Sequence, residues 1–170
     1  RIDYNALVTD SIAIRRYGNI LAANIRSFNA GGTTAAAQSV ASVGPDSANI
    51  YIGYLAGLSS TTGYRNAAIG TYAMNSNTTG YQNAAIGYAA LQNNTTGYSN
   101  TAIGYSAMKT VTTARNSVAI GYLAYGSGSA KTGNLNTAIG YYALRSATSL
   151  SSAAVVGYSA GGAATTAGSL

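Results

Sequence analysis

The side chains able to do chemistry in this 170-residue chain are few. The only acids are Asp3, Asp10 and Asp46, and histidine, cysteine and tryptophan are absent. General acid–base catalysis near neutral pH draws on histidine or on carboxylates of tuned pKa. A zinc site needs imidazole or thiolate ligands, and a calcium site needs clustered acidic oxygens. All three aspartates lie ahead of the patterned part of the chain, and no acid follows them. The composition therefore points away from an enzyme and gives no reason to expect a metal or a cofactor. What remains is phenolic, amide and cationic chemistry: fifteen tyrosines, and Arg65, Lys109, Arg115, Lys131 and Arg145 with no acid to balance them. Groups of this kind recognise surfaces.

The elements that must position these groups follow from a repeat. Residues 77–91 read NTTGYQNAAIGYAAL and residues 94–108 read NTTGYSNTAIGYSAM. An Ile-Gly step recurs at Ile52, Ile69, Ile86, Ile103, Ile120 and Ile139, with Val156-Gly157 as a weaker copy, at spacings of 17, 17, 17, 17, 19 and 17 residues. A fixed short period marks a solenoid, in which each unit covers its neighbour. Helix-pair repeats need a longer unit, and a glycine in every copy would cost a helix about 1 kcal/mol each time. The reading is an all-β parallel β-roll or β-solenoid of about seven 17-residue coils, each with two short strands and two turns such as Thr78-Thr79-Gly80.

A single coil cannot hold itself together. Burying one isoleucine and one leucine or methionine contributes about 2 kcal/mol each, against on the order of 1 kcal/mol per residue to order the backbone. Strand alternation puts positions 84, 86 and 88 on one side and 85 and 87 on the other. The expectation is that Ile52, Ile69, Ile86, Ile103, Ile120, Ile139 and Val156 fill the interior. The small column Ala68/Gly70, Ala85/Gly87, Ala102/Gly104, Ala119/Gly121 and Ala138/Gly140 would then pack against neighbouring subunits, because small residues admit close backbone approach. The implied assembly is a homo-oligomer.

Tyrosines form two ladders. Tyr54, Tyr88, Tyr105, Tyr122, Tyr141 and Tyr158 follow the repeat glycine and fall on the isoleucine side, where a structural role is expected. Tyr64, Tyr81 and Tyr98 follow the turn glycine and, with Lys109 and Arg145 at a shared place in the repeat, are candidate surface-binding residues. The uncompensated charge favours anionic surfaces. The cations are scattered singly, unlike a nucleic-acid footprint. No apolar run approaches the ~18 residues of a membrane span.

Asn116-Ser117-Val118-Ala119-Ile120-Gly121 resembles the NSVAIG motif of head repeats in trimeric autotransporter adhesins, and NTAIG at 100–104 and 136–140 is similar to its common variant. The NTAIGYxAL style over residues 49–160 also resembles repeats of phage tail fibres. The resemblance implies a trimeric left-handed parallel β-roll, intertwined or side by side. It also implies a non-catalytic role: a tail-fibre segment of the virion that contacts host surface glycans and other tail or fibre proteins. The alternative is a bacterial cell-surface adhesin head that binds host matrix or cells. A lesser alternative, from the Thr-Thr pairs, is an ice-binding solenoid; the Tyr beside three of the pairs spoils a flat Thr face.

Ahead of the repeats, Asp10-Ser11-Ile12-Ala13-Ile14 echoes residues 116–120, so residues 1–29 are expected to form a degenerate coil or a strand-rich collar. Residues 30–48, small and turn-rich with the only proline at Pro45, are expected to be a linker, and residues 49–170 the roll.

Overall fold

The computed structural model describes residues 49–126, 128 and 131–162. The expected collar and linker over residues 1–48 lie outside the described residues. Seven three-residue strands, β1 (Ile50–Ile52), β2 (Ala67–Ile69), β3 (Ala84–Ile86), β4 (Thr101–Ile103), β5 (Val118–Ile120), β6 (Thr137–Ile139) and β7 (Ala154–Val156), stack in chain order into one parallel sheet. Each residue pairs with its equivalent in the next coil, so Ala85 sits between Ala68 and Ala102, and Ile86 between Ile69 and Ile103. The β-solenoid is as the period predicts.

Only one regular strand forms per coil, not two. The rest of each turn is bent backbone that still bonds coil to coil, as where Met74 N donates to Ala90 O at 2.9 Å and Thr78 N to Thr95 O at 2.9 Å. The bends are made by single residues in the left-handed region: Gln82, Ala89 and Leu91 have φ of 55°, 53° and 50°, and their equivalents repeat the pattern. A left-handed residue with a Cβ costs roughly 1–2 kcal/mol. Such a cost, repeated in every coil, is met by the inter-coil hydrogen bonds that these bends align.

The interior is the reverse of the expectation. Ala68, Ala85, Ala102, Ala119 and Ala138 are fully buried, whereas Ile52, Ile69, Ile86, Ile103 and Ile120 are 36–43% exposed and Ile139 is half-buried. Val156 is exposed as well. The alternation holds, with its sign inverted. The lumen of a 17-residue coil is narrow, and it is filled by the alanine column, by the bulky residues that follow Ala at the far bend (Met74, Leu91, Met108, Leu144), and by asparagine. No room remains for a second bulky column.

The glycine column does admit a close backbone, but that backbone is the next coil of the same chain. At Gly104, φ is 127° and an added Cβ would lie 2.6 Å from Gly121 O. The same relation runs from Gly70 to Gly87, from Gly87 to Gly104, from Gly121 to Gly140 and from Gly140, with φ of 129°, to Gly157. Assigning the Ala/Gly column to subunit packing is therefore corrected. Ala68, Ala85, Ala102, Ala119 and Ala138 face the lumen, and Gly70, Gly87, Gly104, Gly121 and Gly140 each lie against the glycine of the following coil.

Two substitutions close or repair the column of coils. Tyr51 occupies the alanine position in β1, buried, with its hydroxyl donating to Ser60 Oγ at 3.0 Å. The 19-residue coil between Ile120 and Ile139 carries Tyr125 in place of Leu or Met, with its hydroxyl donating to Gly133 O at 3.2 Å. Among the described residues no helix is long and apolar enough to cross a membrane.

Candidate functional site

The polar interior fixes where every outward side chain stands. Asn49, Asn66, Asn83, Asn100 and Asn136 are buried just ahead of the strands. Their Oδ1 atoms accept the backbone N–H of the equivalent residue one coil on, as Asn83 N donates to Asn66 Oδ1 at 3.0 Å and Asn100 N to Asn83 Oδ1 at 3.0 Å. Their Nδ2 atoms donate to a turn carbonyl, as Asn83 Nδ2 to Gly97 O at 2.9 Å. Where Ser117 replaces Asn, its Oγ still accepts from Asn136 N at 3.1 Å. Buried amides that satisfy one another in this way stabilise and fix the register of the stack.

This register places two sets of groups on the outside. The first is a broad apolar face: the isoleucine row with Tyr54, Tyr88, Tyr105, Tyr122, Tyr141 and Tyr158 beside it, all six tyrosines exposed. Tyr88, Tyr105, Tyr122, Tyr141 and Tyr158 stack in sequence with ring centroids 5.0–5.2 Å apart and planes within 11°. Thr71 interrupts the row, and Tyr72 fills the gap with edge contacts to Tyr54 at 5.8 Å and Tyr88 at 6.0 Å. The phenol of Tyr141 is pushed up to about 12, first by its hydrogen bond with Tyr142 and then by burial. Sequence reasoning placed this ladder on the isoleucine side, which proves to be the outer one.

The second set is the corner before each strand. Tyr64, Tyr81 and Tyr98 are half-buried there, stacked at 4.9 and 4.6 Å with planes within 5°. Their flat faces are spent on one another, so they offer ring edges and hydroxyls to a ligand rather than open π-surfaces. The next place in this column is Arg115, whose Nη1 donates to Tyr98 Oη at 3.4 Å. Beside it runs a second column, Arg65, Gln82, Ser99 and Asn116, with φ of 53–55°. It is tied to the first by backbone bonds such as Ser99 N to Tyr81 O at 3.0 Å and Asn116 N to Tyr98 O at 3.1 Å. The Tyr81 phenol is held above its ordinary value, chiefly by desolvation and next by Tyr98 and Tyr64, with Arg115 pulling the other way. Sequence reasoning misses Arg115 and this second column because neither repeats one residue type.

The structure does not bring Lys109 and Arg145 into the tyrosine corner. They stand on the opposite bend, two coils apart, and the Arg145 guanidinium lies 4.5 Å from the centroid of Tyr142. A shallow depression lined by Tyr142, Arg145, Ser146 and Ser159 adjoins it.

Among the described residues, Lys131 is the charged residue buried in the lumen. Its Nζ donates to Arg145 O at 3.0 Å and to Ala147 O, and lies 5.5 Å from the centroid of Tyr125. Burial lowers it from 10.5 to about 8. It is a structural cation enclosed by the stack and cannot meet a ligand. Of each Thr pair in the middle coils, the first hydroxyl donates along the stack, as Thr78 Oγ1 to Thr95 O at 2.9 Å, leaving Thr62, Thr79, Thr96 and Thr113 as a single exposed file. No group of three or more metal-binding side chains occurs among the described residues. Comparison of the chain with protein-family models, with curated proteins and with solved structures finds no match.

Proposed function

We propose that this chain is a non-catalytic structural segment of a phage tail fibre, assembled as a homotrimer through its isoleucine/tyrosine face and contacting host surface polysaccharide along its corners. The observation that carries the reading is the apolar face itself. Taking about 200 Å² for a free tyrosine, the 40–47% exposures of Tyr88, Tyr105, Tyr122 and Tyr141 leave roughly 350 Å² of tyrosine surface bare, and the isoleucines add a similar area. Monomers rarely show contiguous apolar patches beyond a few hundred Å², whereas roughly 800 Å² per partner is the size of an ordinary stable interface. A rod of satisfied backbone with one long bare stripe is a protomer that associates lengthwise with its own kind, which is the geometry a fibre needs.

Two measurements test this. Sedimentation or light scattering should give three times the 17.1 kDa chain mass, and a monomer would overturn the assembly. Immunogold labelling with antibody to residues 49–162 should decorate the tails of intact virions. The Asn116-Ser117-Val118-Ala119-Ile120-Gly121 copy, which lies across β5, favours a bacterial adhesin head as the second reading. Label on bacterial envelopes and none on tails would decide for it.

A further inference from the structure

We infer that the corner formed by Tyr64, Tyr81, Tyr98 and Arg115 binds a linear acidic polysaccharide lying parallel to the solenoid axis. The inference rests on the reading of the chain as a glycan-contacting fibre segment, and it names the glycan's class and its line of attachment.

Three observations carry it. The first is spacing: the tyrosine rings repeat at 4.9 and 4.6 Å, so their hydroxyls form a comb with one tooth per coil. One pyranose ring lengthens an extended sugar chain by about the same step as one coil lengthens a parallel β-stack, roughly 4.8 Å. An extended sugar chain can therefore keep step with the hydroxyl comb over several coils. The second is charge: residues 52–170 contain five cations and no acid, so nothing on the described surface repels a polyanion. Arg115 follows Tyr98 in the same column, and an exposed guanidinium presents a planar fork suited to a carboxylate. The third is rigidity: the two columns of the corner are locked by the Ser99 N to Tyr81 O and Asn116 N to Tyr98 O bonds, so little ordering is left to be done on binding.

The raised Tyr81 phenol stays protonated and neutral at physiological pH, a donor that does not oppose an anion. Because the ring faces are consumed by stacking, recognition runs through hydroxyl edges, Gln82 and Asn116 amides and the Arg115 guanidinium. Ring-face stacking on sugars plays no part.

The test uses the intact chain and an oligogalacturonate, a linear sugar with one carboxylate per ring, set against its fully methyl-esterified form, which has the same backbone without charge. Calorimetry or interferometry should show binding of the acid form at least tenfold tighter than the ester. Arg115→Gln should weaken the acid form about tenfold, and Tyr81→Phe, which keeps the stack and removes one tooth, by a few-fold. Lys109→Gln on the opposite bend should leave it unchanged. Equal binding of ester and acid overturns the acidic class, and equal losses in Arg115→Gln and Lys109→Gln overturn the corner in favour of diffuse charge attraction. Absence of binding by either sugar overturns the inference while labelled virion tails would leave the fibre reading standing.

Discussion

Asn94 Oδ1 is buried without a hydrogen-bond partner, and the reason is one residue further along its column. Asn94 Nδ2 donates to Asn77 Oδ1 at 2.8 Å, so the column Asn77, Asn94 would pass its hydrogen bond onward, but the next coil offers Val111. Val111→Thr keeps the shape and supplies one hydroxyl donor. Satisfying a buried acceptor is worth about 1 kcal/mol, so the variant should raise the urea midpoint, and a lower midpoint would show that the hydroxyl cannot reach Asn94. Leu135 gives a second residue-scale case. It is 56% exposed with φ of 59°, at a place where Asn116 stands one coil earlier. Asparagine tolerates the left-handed region better than leucine does. Leu135→Asn should therefore raise the melting temperature, by an amount equivalent to about 0.5–1 kcal/mol.

The 19-residue coil shows how an element absorbs an insertion. In regular coils the N–H just past the bend bonds to the next coil, as Ser76 N to Gln92 O at 2.9 Å and Asn93 N to Lys109 O at 3.1 Å. Below the insertion the equivalent acceptor is Arg145 O, and Lys131 Nζ donates to it. Burial lowers this ammonium from 10.5 to about 8. Its folded-state value lies below the unfolded one, so between about pH 8 and 10.5 the unfolded chain binds more protons and stability rises with pH. Tyr125, pushed by burial from 10.0 up to about 12, has the opposite effect above pH 10, where the unfolded chain loses its proton first. Urea midpoints should increase from pH 8 to 10 and then decline, and Lys131→Met should abolish the rise without removing the decline. A wild-type midpoint flat across pH 8–10 would place Lys131 Nζ in water. Elements of this kind also mark what the sequence discloses. The period, the parallel stacking and the register are legible because Ile-Gly recurs six times, with Val156-Gly157 as a seventh, weaker copy. The direction of the faces is not, because Ile86 and Ala85 alternate equally well in either sense, and only the narrow lumen set by Met74, Leu91 and Met108 decides between them. Lys131 reads as one more scattered cation, since nothing local distinguishes a buried lysine from a solvated one.

At the scale of the whole molecule, the two sides of a strand should respond to mutation in different currencies. Leu91 and Met108 are fully buried within one chain, so truncation to alanine should cost about 2–5 kcal/mol of folding stability, whatever the oligomeric state. Ile86 and Ile103 are 43% and 37% exposed on an isolated protomer, and charging them removes nothing from the lumen. Within the proposed trimer, however, they would be enclosed against the other copies, where two unpaired carboxylates per chain carry a heavy desolvation cost. The double variant Ile86→Asp, Ile103→Asp should therefore sediment as a monomer while keeping the β-sheet circular dichroism of the wild type. Its melting should become independent of protein concentration, since a folded state no longer coupled to association loses that dependence. A double variant that stays oligomeric would place the contact elsewhere on the rod. One that unfolds outright would instead mean that the solenoid and its assembly form a single cooperative unit, with no separately stable coil stack. The satisfied asparagine ladder ahead of the strands and the packed lumen of the single chain argue for the folded monomer.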